Sequence, residues 1–533
     1  MASRRKKKVP KVRGSKAAPA VATAATNGSL ADVKVRARLY CQGIGDCHLL
    51  QFPKADGQSF WMLIDCGIHT SITGGPAKID AIVASVLSFT KRLDVIVATH
   101  EHWDHISGFM TANEKFKQFE IGEIWMAWTE DPRDAQARTL DKYKSLALDA
   151  LQGASQRLNA LKLPGQHLAV VRDGVESILG FNFGAQGERV RSARDTLVSL
   201  AKDRVRYLEP RNPPLSLPGV PNLRIFVLGP PRDAKLLGIA DRTSEMYGLA
   251  GGTGWPIAHA LNTALATTGF KDSEAAENSA PFDVNVGVPL SEILQAASRP
   301  VAAGPTAGGK ESFEAQTASF VRDHYSGPAR GPDLTQGASK TAPSQNPSRD
   351  QSWRRVDHDW LGVSADLAMQ LDSRTNNTSL VLAFEFIDTG RVLLFAADAQ
   401  VGNWLSWQDV KWKLSEQETV TGPGLLARTV FYKVGHHGSQ NATLKEKGLQ
   451  QMTHADLAAF IPTNELDAKK VKWGQMPFEA ILSDLKVRTS GRVIRADDPW
   501  IASADAGVAF KTPSGSVRAI DHEPGLFVAL DIA

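Results

Sequence analysis

The apolar positions in the first part of the chain recur at every second residue and form short runs. Three such runs occupy residues 35–40, 48–52 and 60–64. Alternation with this period is typical of strands. Segments 43–46 and 54–57, which contain Gly and Asp, lie between the runs and supply turns. The pattern predicts consecutive strands joined as hairpins.

Further along, the pattern changes repeatedly between helix and strand. Residues 80–90 have the spacing of a helix, and the β-branched run 93–99 predicts a strand that is buried on both faces. Further strand-like runs occupy residues 222–228, 379–386, 392–396, 429–434 and 457–461. Strands that alternate with helices indicate an α/β architecture.

Three segments depart from this alternation. Residues 1–31 are rich in Lys and Arg and then in Ala and Thr, which predicts a disordered basic tail. Residues 113–202 are rich in Ala, Leu, Gln and charged side chains, which predicts a helical insertion. Residues 298–352 are rich in Gly, Pro, Ser, Ala and Thr, which predicts a flexible insertion. We therefore expect one folded domain over residues 32–533 that carries both insertions.

The net charge of +4 is unevenly distributed along the chain. The first sixteen residues contain eight Lys or Arg, and no acidic residue precedes Asp32. The remainder has 53 basic and 57 acidic residues, so it is weakly negative. The basic tail could bind phosphate backbones without sequence preference, or it could be a solvated leader. The remainder lacks the composition of a nucleic-acid-binding surface.

The sequence predicts a cytoplasmic protein without a membrane span. No apolar stretch approaches the ~20 residues that a spanning helix needs. The Ala/Val run at 17–25 lacks the leucines of an export signal. Cys41, Cys47 and Cys66 show no metal-binding spacing, and we expect reduced thiols.

A dense group of polar residues follows the predicted strand 93–99. Its sequence is His100-Glu101-His102-Trp103-Asp104-His105. A buried strand fixes the backbone just beyond its end, so a loop there can present ligands rigidly. His100 and His102 could converge on one cation, and Asp104 and His105 on a second, since imidazole and carboxylate are the usual ligands of Zn²⁺. An ordinary surface loop is the weaker interpretation of so many histidines.

His-x-His-x-Asp-His after a buried strand resembles the signature of the metallo-β-lactamase superfamily. The resemblance implies a four-layer αββα sandwich that binds one or two divalent ions, with Zn²⁺ expected and Mn or Fe as alternatives. It implies that Asp398 bridges two metals, that Asp65 braces the metal loop, and that His436 is the last ligand. His437 is then expected beside the ligands and not among them.

Within the superfamily, the chain resembles the nuclease-like branch of the ComEC/Rec2 DNA-uptake proteins. The resembling segments are 43–46, 376–379 and the run His436-His437-Gly438-Ser439. One departure is clear: the stretch that ends at residues 227–231 lacks the histidine that the superfamily usually supplies before the bridging aspartate. The sequence therefore leaves open whether one metal or two are bound.

The resemblance implies a metal-dependent hydrolase in which Asp104 orients the attacking water and accepts its proton. Lys433, Ser439 and Asn441 lie close to His436 in the sequence and could donate hydrogen bonds to the substrate, or could make structural hydrogen bonds instead. A phosphodiesterase or nuclease-like activity on nucleic acid or a small phosphodiester is expected first. Hydrolysis of a small ester, lactone or thioester is the enzymatic alternative. The other alternative is a non-catalytic metal-binding module that recruits a partner through the helical insertion and the Trp-rich segment 404–412.

Overall fold

A computed structural model of the 533-residue chain describes most of the sequence. The described residues are 32–161, 166–184, 189–202, 204–238, 359–471, 475–503 and 510–533. The predicted basic tail (1–31) and the predicted flexible insertion (298–352) lie outside these ranges.

Sixteen strands and twelve α-helices occur in the described ranges. The strands are β1 (Val35–Tyr40), β2 (Cys47–Pro53), β3 (Ser59–Cys66), β4 (Arg92–Ala98), β5 (Glu120–Ala127), β6 (Val205–Leu208), β7 (Leu223–Gly229), β8 (Val381–Phe386), β9 (Val392–Phe395), β10 (Lys411–Lys413), β11 (Thr419–Thr421), β12 (Thr429–Lys433), β13 (Ala458–Ile461), β14 (Val493–Arg495), β15 (Val517–Glu523) and β16 (Phe527–Ile532). The helices are α1 (Gly75–Phe89), α2 (Trp103–Thr111), α3 (Asn113–Phe116), α4 (Ala135–Ala160), α5 (Gln166–Asn182), α6 (Val190–Leu200), α7 (Ala234–Leu237), α8 (Val363–Asn377), α9 (Val401–Ser406), α10 (Gly422–Ala427), α11 (Glu465–Lys470) and α12 (Glu479–Arg488).

Two large sheets form the centre of the molecule. The first has eight strands in the order β15-β16-β1-β2-β3-β4-β5-β6, and the second has six in the order β14-β13-β12-β9-β8-β7. The pairs β1–β2 and β2–β3 are antiparallel, as the alternating sequence pattern predicts. From β3 to β6 the first sheet is parallel, and so is the second from β9 through β12 and β13 to β14. The mixed α/β class expected from the sequence is therefore confirmed.

The inner faces of the two sheets share one apolar cluster. Leu50 and Val97 of the first sheet belong to the same buried cluster as Leu382 and Phe431 of the second. Removal of this surface from water is the main force that holds the sheets together.

Helices cover the outer face of each sheet. Helices α1, α2 and α6 pack against the first sheet, and helices α9, α10 and α12 pack against the second. Strand β4 has buried apolar residues on both faces, because Val95 and Val97 point to the inner cluster while Leu93 and Ile96 point to the helices. The prediction for residues 93–99 is confirmed.

The segment predicted as a helical insertion is not helical throughout. Residues 113–202 contain β5, which pairs in parallel with β4. Gly122 of β5 lies so close to the Asp94 carbonyl oxygen that a Cβ there would be 2.2 Å from it. The long helices follow β5, and α4, α5 and α8 form a small apolar cluster of their own. The prediction was wrong at β5 because its eight residues lie between helix-forming stretches.

In the described ranges, none of the helices combines the length and apolar character needed to cross a bilayer. All three cysteines are free, as expected for reduced thiols.

Candidate metal centre

The motif His100–His105 leaves the carboxyl end of β4, at the edge where the two sheets meet. The Leu380 N–H, just before β8, donates to the Thr99 carbonyl oxygen at 2.8 Å and links the two sheets. Helix α2 begins at Trp103, so Asp104 and His105 lie in its first turn. Strand β9 ends just before Asp398, and β12 ends just before residues 435–438. The ends of three strands, β4, β9 and β12, thus bring distant side chains to one place.

Four side chains converge here from both sheets. Ligand-type atoms of Asp104, His105, Asp398 and His437 all lie within 4.8 Å of one another, and all four residues are buried. His437 Nε2 lies 2.9 Å from Asp104 Oδ2. His105 Nε2 lies 3.1 Å from Asp398 Oδ2. We call these residues the four-residue group.

His100 and His102 lie beside the four-residue group, and we call them the His100/His102 pair. The His100 Nε2 and His102 Nδ1 atoms are 3.1 Å apart. The His100 ring centroid is 4.2 Å from that of His105. The structure thus brings together five of the six residues predicted as ligands.

The sixth predicted ligand, His436, is not part of the four-residue group, and the adjacent residue His437 is. His437 enters the four-residue group, whereas the His436 ring contacts Ser439 Oγ at 2.8 Å and Gln400 Nε2 at 3.1 Å. Both histidines have left-handed backbones, with φ values of 42° and 55°. This conformation costs ~1–3 kcal/mol at each non-glycine residue and is tolerated mainly at functional sites. It turns His437 inward, so the choice of His436 over His437 does not fit the geometry.

Asp65, at the end of β3, holds the metal loop. Its Oδ1 accepts from the Thr99 N–H at 2.8 Å, and its Oδ2 accepts from the Thr99 hydroxyl at 2.7 Å. The same Oδ2 lies 2.8 Å from His105 Nδ1. A carboxylate on one imidazole nitrogen fixes the ring and leaves the other nitrogen for a metal. These contacts are those of a brace.

Glu101, the remaining acid of the motif, faces away from the four-residue group. It pairs with Lys144 of α4 at 2.9 Å and with Arg194 of α6 at 2.7 Å. The helical segment therefore anchors the metal loop from the other side.

Lys433 is buried behind Asp398 and is out of reach of a substrate. Its ammonium group forms an ion pair with Asp46 and lies 3.8 Å from Asp398 Oδ1. Its side chain is 1% exposed, so of the two roles that the sequence left open for Lys433 the structural one fits the geometry. Asp46 was missed as a site residue because segment 43–46 was interpreted as a turn and as a point of family resemblance, and its partner Lys433 is far away in the sequence. Ser439 and Asn441 hydrogen-bond to each other near His436.

Burial and neighbouring charges together set the protonation states of the histidines and carboxylates in this site. It lowers the pKa of His102 to about 3 and holds the pKa of His100 well below its ordinary value, so both rings are neutral at pH 7. Burial alone would raise the pKa of Asp104, but His105 and His437 bring it down to about 2. Burial likewise opposes the charge on His105, yet Asp398 and Asp104 hold its pKa well above the ordinary value. A divalent ion would displace that proton.

The donor atoms themselves indicate a cation. In the described part of the chain, two buried atoms of this site, Nε2 of His102 and Oδ1 of Asp104, lack a hydrogen-bond partner. His105 Nε2 and Asp398 Oδ2 have only each other, at 3.1 Å. Each such atom costs ~1–3 kcal/mol when nothing pairs with it. Imidazole nitrogen and carboxylate oxygen are the donors that catalytic divalent ions take. The residues therefore fit one or two such ions, and the donor set alone does not identify the element.

The Trp-rich segment is part of the core. Trp404, Trp407 and Trp412 are at most 3% exposed and pack against the outer face of the second sheet. They are not available to recruit a partner in the way that the non-catalytic alternative supposed.

Comparison with known families and proteins gives one result. No curated protein matches the chain. The match to a family model covers residues 42–178, which include Asp65 and the motif His100–His105 but not Asp398 or His437. Over these residues the chain matches the metallo-beta-lactamase superfamily, with which its mixed α/β fold and its buried His/Asp site are consistent.

Proposed function

We propose that this protein is a metal-dependent hydrolase. The four-residue group and the His100/His102 pair together form its active site. The observation that carries the proposal is the convergence of four buried imidazole and carboxylate side chains beside His102 Nε2 and Asp104 Oδ1, which have no partner among the described residues. The matched superfamily suggests the same reaction class.

The four-residue group would hold one ion, and His100, His102 and Asp398 would hold a second. We propose Zn²⁺, with Mn or Fe as alternatives. When bound, such an ion lowers the pKa of a coordinated water to ~7 and supplies hydroxide at neutral pH.

The side chains have separate tasks in this proposal. Asp104 orients the attacking water and receives its proton through Oδ1, the oxygen that has no protein partner in the described residues. Asp65 keeps the His105 ring in one orientation. Lys433 offsets the negative charge of Asp46 and Asp398 from below the site.

Two sheets with helices on both outer faces support the proposal of a four-layer αββα sandwich. Helices α4, α5 and α8 would be an addition to that sandwich, and the described ranges from residue 32 onward would form one domain. We also propose, on the sequence resemblance, that the chain belongs to the nuclease-like branch of the ComEC/Rec2 DNA-uptake proteins.

A small phosphodiester is the substrate class that we propose first. A cavity of about 410 Å³ lies beside His436, a volume suited to a small molecule. Among its described lining residues there is no Lys or Arg, although proteins that bind polynucleotides neutralise phosphates with these side chains. A small ester, lactone or thioester remains the alternative.

The test combines metal content with substrate preference. The full chain is purified, its bound metal is measured by mass spectrometry, and bis(p-nitrophenyl) phosphate is assayed beside p-nitrophenyl acetate and a lactone. We expect bound metal, and phosphodiester turnover that Asp104→Ala and His102→Ala both lose. Asp366→Asn, an exposed acid on α8, serves as the matched control and should keep it.

Each other outcome has a definite meaning. Turnover of esters alone would replace the phosphodiester assignment. Bound metal without turnover of any substrate would favour the non-catalytic module. A chain without metal would overturn the proposal.

A further inference from the structure

The cavity beside the metal centre has one apolar side and one polar side. Helix α5 contributes Ile178 and Phe181, and Met476 and Phe478 complete the apolar side. Asp372 of α8 and His436 lie on the polar side. The other lining residues carry uncharged polar side chains.

This cavity adjoins the proposed metal ligands directly. The Phe181 ring centroid lies 5.1 Å from that of His102. The His436 N–H donates to Asp398 Oδ1 at 3.0 Å. Phe181 and His436 thus link the cavity to the proposed metal ligands, none of which is itself among the described lining residues.

Two amide side chains hold Asp372 in place. Asn376 Nδ2 donates to Asp372 Oδ2 at 3.1 Å, and Gln400 Nε2 lies 3.5 Å from the same oxygen. The same amides lie 3.4 Å and 3.1 Å from the ring nitrogens of His436. The other oxygen, Asp372 Oδ1, is buried and has no partner among the described residues. The amides thus fix one oxygen of the Asp372 carboxylate, and the other oxygen is left for a donor that the described residues do not supply.

The surroundings of Asp372 determine which ligand suits it. A buried carboxylate oxygen without a partner is costly, and a charged donor satisfies it best. Aromatic rings such as Phe181 and Phe478 favour a cation near their faces. Asp372 is the only acidic residue of the described lining, which contains no Lys or Arg and only one basic residue, His436. A second phosphate would therefore be repelled here.

We propose that this cavity is the substrate pocket, and that it selects a small substrate whose ammonium group pairs with Asp372 while its reactive group faces the metal ligands. We call it the Asp372 pocket. Its location next to the reaction rests on the proposed function, whereas the pairing of the ammonium group with Asp372 does not.

The test uses two ligands of nearly identical shape. 2-Aminoethylphosphonate and propylphosphonate differ by an ammonium in place of a methyl group, and their C–P bond resists hydrolysis. Their dissociation constants are measured by calorimetry on the Zn²⁺-loaded full chain. We expect the amine to bind at least 10-fold more tightly to the natural protein.

Variants of one helix supply the control. Asp372→Asn should bring the ratio of the two dissociation constants close to one, and Asp366→Asn should leave it unchanged. Circular dichroism and metal content check that each variant is folded and loaded. Equal affinities in the natural protein, no binding of either phosphonate, or a ratio that Asp372→Asn does not change would overturn the proposal.

A second pair separates this proposal from the proposed function. 2-Phenylethylamine and 2-phenylethanol carry no anion, so they can be compared on the metal-free protein. Preference for the amine that Asp372→Asn removes would support the Asp372 pocket even if the chain hydrolyses nothing. Preference for the alcohol would overturn the ammonium assignment.

Discussion

The two halves of the candidate metal centre are built differently. The four-residue group takes its donors from three separate segments, and Asp65 and the His436 backbone hold two of them. The His100/His102 pair comes from one loop, and the stretch at 227–231 adds no histidine to it. Donors from several rigid elements are held more precisely than donors from one loop. The comparison teaches that a first ion should bind tightly at the four-residue group and a second one weakly at the pair.

The largest expected effect comes from replacing each of two neighbouring histidines, His437 and His436, by alanine. His437→Ala removes a donor of the four-residue group and should lower the affinity for the first ion by more than ~100-fold, beyond the usual effect of an outer partner. His436→Ala should leave that affinity within ~10-fold, because its ring contacts Ser439 and Gln400. Competition with a chromophoric chelator measures both. If His436→Ala had the larger effect, the assignment of His437 would fail.

A smaller effect is expected from the residue that orients a donor. Asp65→Asn keeps the shape of the side chain but removes the charge beside His105 Nδ1. Such partners typically contribute 10–100-fold, so we expect a loss of about that size in affinity for the first ion. The same chelator titration reads it. An unchanged affinity would mean that Asp65 serves the loop only.

The smallest expected effect concerns the pair. His102→Ala should abolish the weaker of two binding events and leave the stronger one within ~10-fold, since His102 does not belong to the four-residue group. Calorimetric titration of the metal-free chain with Zn²⁺ measures both events. Loss of the stronger event instead would show that the two halves are not independent.

Local features of the site were predictable from the sequence, and long-range features were not. The burial of β4 and the ligand-bearing loop after it can be inferred from one continuous segment. The position of His437 in the four-residue group depends on the left-handed backbone of residues 436 and 437. The residue types at these positions do not predict that conformation. The pairs Lys433–Asp46 and Asp372–Gln400 join residues far apart in sequence, and a single sequence does not record such pairs.

The fold shows the same division. Alternating strands such as β1 to β3 carry their pattern within a few residues each. Strand β5 was missed because it lies between helices, and its pairing with β4 shows that it is a strand. Its contacts in the folded protein make this segment a strand, although the flanking segments are helical.

The most direct test of the central claim is anomalous diffraction at the zinc edge from crystals of the Zn²⁺-loaded protein. The account predicts a strong peak ~2.0–2.2 Å from donor atoms of Asp104, His105, Asp398 and His437. A weaker peak, or none, should lie beside His100 and His102. No peak at the four-residue group, or a peak bonded to His436 in place of His437, would contradict the account.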